Sequence, residues 1–99
     1  MTTYKRSTKV DRHRELCETL NGIYAKKNAD YGDSFHLTYQ EEGMAMARIR
    51  LSDKLNRFKQ LSRTQDRQVK DESIKDTLLD LANYSLMTVL EIEGEEHDD

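Results

Sequence analysis

Apolar residues recur along this chain at helical spacing, and runs that alternate apolar with polar are absent. Leu16, Leu20, Ile23 and Tyr24 stand at i, i+4, i+7 and i+8, the stripe of an amphipathic helix. Asp11 is a candidate start for that helix and Asn28 its approximate end. Met44, Ala47, Leu51, Leu55 and Phe58 repeat the period within "GMAMARIRLSDKLNRFKQL", which predicts a second long helix. In the last third, Ile74, Leu78, Leu81, Ala82, Ser85, Val89 and Ile92 form one stripe. Leu79, Leu86 and Leu90 form a second apolar flank beside it. This third helix is expected to start near a cap at Asp71 or Ser73 and to end near Glu93. "KKNADYGDSFHL" is rich in turn and cap residues and predicts a loop or helix break, with a short helical turn over Thr38 to Gly43. The polar stretch "SRTQDRQVKDES" joins the second and third helices.

These patterns predict an all-α domain of about three main helices packed as a helical bundle. The third helix is apolar over too much of its circumference for one small bundle to cover, so a homo-oligomer is expected to complete it. At 99 residues the chain is one domain. The boundaries read as a flexible basic start over 1–9, a helical domain over 10–93, and an acidic disordered tail over 94–99. Composition agrees: 35% hydrophobic, 35% charged, no proline and four glycines leave too little turn chemistry for a sandwich or barrel.

The net charge of -3 argues against generic nucleic-acid binding. Cys17 is the one cysteine, so no internal disulfide forms, and a reduced cytoplasmic setting is expected. It lies beside the first stripe and reads as a packing residue. His13, His36 and His97 show no metal-ligand spacing. No run is long and apolar enough for a membrane span, and no signal peptide is evident.

Three features carry candidate chemistry. Glu72, Asp76, Asp80 and Asn83 follow one another about a turn apart on the third helix. Such a line is either a solvated face or an acidic ladder able to share a Mg²⁺. On the second helix, Arg50, Lys54 and Arg57 fall within about 60° of one another on the helical wheel, with Asp53 next to them. They can clamp phosphate, or form ordinary salt bridges with Glu41, Glu42, Asp53 or acids of the third helix. Lys27, Asp30, Tyr31, Gly32, Asp33 and Phe35 sit in "KNADYGDSF". There Gly32 permits positive φ and close approach to a ligand, while Tyr31 or Phe35 offers a stacking face. The alternative is a capped turn whose aromatic residues plug the core.

"KNADYGDSF", "GMAMARIRLSDKLNRFKQL" and "DESIKDTLLDLANYSL", in this order and spacing, resemble the phage and bacterial family called nucleotide modification associated domain 1. The resemblance spans about residues 26 to 92. It implies an all-helical fold and a link to nucleotide or DNA-base modification. It marks Lys27, Asp30, Tyr31, Gly32, Arg50, Asp53, Lys54, Arg57, Glu72, Asp76, Asp80, Asn83 and Tyr84 as motif positions. "LLDLANYSLM" is more weakly similar to the all-α pyrophosphohydrolases of the MazG type. Thr77 stands where their glutamate would be, Asp76 is one place off, and Glu41 and Glu42 lack the partners of the E-x-x-E helix.

Three functions follow as expectations. A metal-dependent nucleotide enzyme would hold Mg²⁺ on Glu72, Asp76 and Asp80 and phosphates on Arg50, Lys54 and Arg57. A non-catalytic oligomer would sequester a nucleotide, such as a signalling nucleotide. A helical adaptor would use the same charges only to fix its packing. The first two require a nucleotide or nucleotide-like partner in the cytoplasm, that of the host cell if the protein is phage-encoded.

Overall fold

The computed structural model describes residues 8–63 and 67–97, with the side chains of 67–72 outside the described set. These residues form four helices: α1 Lys9–Tyr31, α2 Ser34–Glu42, α3 Met44–Ser62 and α4 Arg67–His97. No strand occurs among the described residues, and the all-α expectation is met.

α1 opens with a reciprocal capping box. The Thr8 hydroxyl accepts from the Asp11 backbone N–H at 3.1 Å, and the Thr8 N–H donates to the Asp11 carboxylate at 3.1 Å. The Thr8 backbone N–H above all, and the Thr8 side chain after it, hold the Asp11 carboxyl below its ordinary pKa. Lys9 is therefore helical, and of the expected flexible start the remainder up to residue 7 lies outside the described residues.

The break expected over "KKNADYGDSFHL" is much shorter than the sequence suggests. α1 continues through Asn28 and Asp30 to Tyr31, and only Gly32 and Asp33 separate it from α2. Gly32 adopts φ 60° and ψ 40°, and its N–H closes back on the Asn28 carbonyl. Asp33 follows in the same left-handed region at φ 58°. The short helical turn over 38–43 is the C-terminal half of a nine-residue helix. Gly43 ends it with φ 69° and ψ -155°, a backbone region that side chains beyond glycine essentially do not enter. Its N–H donates to the Tyr39 carbonyl at 2.7 Å.

At the other end, α4 does not stop at Glu93. It carries on through Gly94 to His97, so 94–97 of the expected tail are helical.

α3 and α4 make the largest helix contact, with α2 and α1 packed more lightly against them. The pairing of Lys54 with Asp80 and the shared cleft position of Met46 and Met87 show that α3 and α4 run antiparallel. The core is small. Tyr39, Met46 and Ala47 are its buried apolar residues, with Phe35 packed against them. Thr77 and Thr88 are buried on α4, where Thr88 returns its hydroxyl hydrogen to the Tyr84 carbonyl at 2.7 Å. Thr77, which stands where the pyrophosphohydrolases' glutamate would be, is 3% exposed.

α2 is tied to the C-terminal half of α4. His36 Nδ1 lies 2.7 Å from one Glu91 carboxylate oxygen and 3.0 Å from the other. One turn on, Tyr39 is buried beside Glu95. Cys17, expected to pack, is exposed, with its sulfur 3.8 Å from His13 Nδ1. No helix among the described residues is long and apolar enough to cross a membrane.

Candidate functional site

The C-terminal half of α1, the start of α2, the first half of α3 and the middle of α4 enclose a cleft of about 490 Å³, within the ordinary range for small-ligand sites. α1 contributes Ile23, Tyr24, Lys27, Asn28 and Tyr31, one face of its last two turns. α2 adds Ser34, Phe35 and Thr38; α3 adds Met46 and Arg50; α4 adds Asp80, Asn83, Tyr84 and Met87.

Asp80 organises the cationic side. Lys27 Nζ of α1 lies 3.6 Å from one carboxylate oxygen, and Lys54 Nζ of α3 lies 3.4 Å from the other. One acid thus binds two ammonium groups from two other helices. Lys27 is well exposed, so screening keeps its pair weak, on the order of 0–1 kcal/mol. The consequence is geometric: Lys27 stands at the cleft and Lys54 beside Asp80, and the local charge stays positive. Lys54 also lies 6.0 Å from the centroid of the Tyr84 ring. Arg50 lines the cleft and enters no ion pair among the described residues.

The apolar side is aromatic. Tyr24, Tyr31, Phe35 and Tyr84 line the cleft, four of the seven aromatic residues in the chain. Phe35 and Tyr84 pack at 5.9 Å between centroids with their planes tilted by 38°. Tyr31 is 69% exposed and leaves its ring open to solvent. Asn83, at the cleft's edge, donates its amide to the Leu20 carbonyl of α1 at 3.2 Å and so joins α4 to α1.

Seven of the residues singled out from sequence therefore meet at one site: Lys27, Tyr31, Phe35, Arg50, Asp80, Asn83 and Tyr84. Lys54 stands directly behind Asp80. Gly32 has the expected positive φ, but its role is to cap α1, and it does not line the cleft. Asp30 is exposed in the last turn of α1, outside the cleft. Asp53 belongs to a separate shallow depression on α3, with Ala45, Arg48, Ile49 and Ser52. Arg57 is exposed and two turns beyond Arg50, about 10 Å along the helix axis, so it is not part of the lining.

Of the carboxylates considered for Mg²⁺, Asp76 is exposed, and both oxygens of Asp80 face ammonium groups. The side chain of Glu72 lies outside the described residues. Among the described residues no three His, Cys, Asp or Glu side chains cluster as metal donors. Tyr24, Asn28, Ser34, Thr38, Met46 and Met87 also line the cleft without having been picked as ligand residues. Helical spacing carried a signal for three of them. Tyr24 precedes Lys27 by three residues, Met46 precedes Arg50 by four, and Met87 follows Asn83 by four.

A small helical domain with a cation-lined, aromatic cleft between its helices is the class of protein that this geometry defines. The model of the family named nucleotide modification associated domain 1 matches residues 27–92, and the chain belongs to that family. The matched span begins at Lys27 and includes every cleft residue except Ile23 and Tyr24. No curated protein and no solved structure matches the chain.

Proposed function

We propose that the cleft binds a nucleotide or a nucleotide-like phosphate compound, as a step in nucleotide metabolism or modification. The observation that carries this reading is the meeting of Lys27 and Arg50 with four aromatic rings at one opening, with Lys54 paired to the lining Asp80, on a protein whose net charge is -3. Cations recognise the phosphates, and the exposed Tyr31 ring and its neighbours supply stacking surface for a base. Arginine suits this role because its planar fork pairs two phosphate oxygens at once. The membership in a family associated with nucleotide modification points the same way.

Within this reading Asp80 is a positioning residue. It gathers Lys27 and Lys54 on one carboxylate. Both Asp80 oxygens face ammonium groups, which supports capture of the nucleotide over its hydrolysis.

The test begins with mass spectrometry of small molecules carried by the purified protein, followed by calorimetry with the common nucleotides, with and without Mg²⁺. A nucleotide retained unchanged is the expected result. Arg50→Ala is expected to weaken binding by roughly ten- to a hundred-fold, the loss of a charge-assisted pair of hydrogen bonds. Arg57→Ala should stay near the parent affinity. Failure to bind any nucleotide in the screen, or equal losses from both substitutions, contradicts this assignment of the site.

A further inference from the structure

One face of α4 is turned away from the cleft. At about 100° per residue, Leu78, Leu79, Ala82, Leu86, Val89 and Leu90 share an arc of roughly 120°. The buried Thr77 and Thr88 lie on the opposite side of the helix. Four residues of the arc are far from covered: Leu78 is 41% exposed, Val89 46%, Leu90 52% and Leu86 53%. Within the arc, Leu79, Ala82, Leu86 and Val89 follow the three-four-three spacing of a coiled-coil seam.

A standard stable interface removes about 800 Å² from each partner.

Charge at the two ends of the seam selects the occupant and its direction. Lys75 and Glu93 lie on the midline of the arc, one before the apolar stretch and one after it. An antiparallel pairing centred level with Tyr84 sets Lys75 against the partner's Glu93 at both ends. The same register sets Leu78 against the partner's Leu90, Leu79 against the partner's Val89, and the small Ala82 against the larger Leu86 of the partner subunit. A parallel pairing would instead stack lysine on lysine and glutamate on glutamate.

We infer that α4 pairs antiparallel with α4 of a second copy of this chain across this face. The dimer buries the seam and leaves the cleft, on the other side of α4, open to ligand. This inference does not depend on the identity of the ligand.

Sedimentation velocity and light scattering of the full chain test it. The expected mass is twice that of one chain, and a single-chain mass at every concentration overturns the inference. Leu86→Lys is expected to give a helical monomer; a dimer that survives it rules out this face. Glu93→Lys alone is expected to weaken the dimer about ten-fold through two like-charge contacts. Lys75→Glu with Glu93→Lys should restore it, since the swap re-forms both pairs. The charge variants leave the apolar seam intact, so they decide the matter even if Leu86→Lys fails to fold. No weakening by Glu93→Lys, or no rescue by the double variant, overturns the antiparallel register.

Discussion

Gly43 shows how much of this fold turns on single backbone positions. With φ 69° and ψ -155° it separates α2 from α3, and its N–H caps α2 on the Tyr39 carbonyl. No heavy atom comes within 4 Å of where a side chain's Cβ would sit. Any penalty for Gly43→Ala therefore comes from the backbone and not from a clash. The substitution is expected to cost about 1–3 kcal/mol, read as a fall in the thermal or urea midpoint. Gly32 is also left-handed, but in the αL basin that Asp33 beside it already occupies, so its substitution is the milder of the two. Arg50 is the counterpart at the binding site. It presents a guanidinium to the cleft without an ion pair among the described residues, which is why its loss should affect affinity and leave folding almost unchanged.

At the scale of elements, the α2–α4 contact is a polar seam around a buried ring. Burial raises the pKa of the Tyr39 hydroxyl first of all. The negative charge of Glu95, a hydrogen bond to that carboxylate and the charge of Glu91 raise it further. The folded value therefore lies above the unfolded one, near 10 for a free tyrosine. The stabilisation this gives is complete below about pH 10 and disappears as the pH rises through the folded value. Melts across the alkaline range should show α2 loosening from α4 as the tyrosinate forms against two carboxylates. Tyr39→Phe should flatten that part of the pH profile, and an unchanged profile would show that the Tyr39–Glu95 contact does not matter to stability. α1 is different in kind. None of its residues is fully buried, and it is held by its capping box, by Asn83 and by Lys27 on Asp80. One wall of the cleft thus rests on few contacts, the usual condition of a ligand-binding element.

For the molecule as a whole, the radius of gyration of 16.8 Å exceeds the roughly 13 Å of a compact domain of this length. The excess reflects long helices around a core of a few residues, with α4 alone about 46 Å long at the ordinary rise per residue. Stability should then depend on what binds the native state. At a nucleotide concentration about a hundred times its Kd, ligand linkage contributes about 2.7 kcal/mol. Association adds a second dependence, so the melting temperature should rise with protein concentration as well as with ligand. Differential scanning calorimetry over a wide protein range checks both. A melting temperature indifferent to protein concentration would mean that the native state is the single chain.

The amino-acid sequence by itself determined the three long helices and several of the charged and aromatic side chains of the cleft. Period and propensity are local properties, so the stripes of α1, α3 and α4 were legible, as were Gly32's positive φ and the cationic flank of α3. The helix ends were less so. α1 runs on to Tyr31 because a single glycine in the αL region is enough to end it, and the other turn-forming residues before Gly32 tolerate the helix. Tertiary structure alone decided which side chains meet. Lys27 and Lys54 are 27 positions apart in the chain, and only the packing of α1 and α3 against α4 brings both to Asp80. The same packing separated Arg50 from Arg57 and Asp53, which share a helix flank but not a cleft. A helical wheel records direction around one axis. The position of a neighbouring helix along that axis is set by the packing between helices, and that is what turned one line of charges into a two-lysine clamp on Asp80.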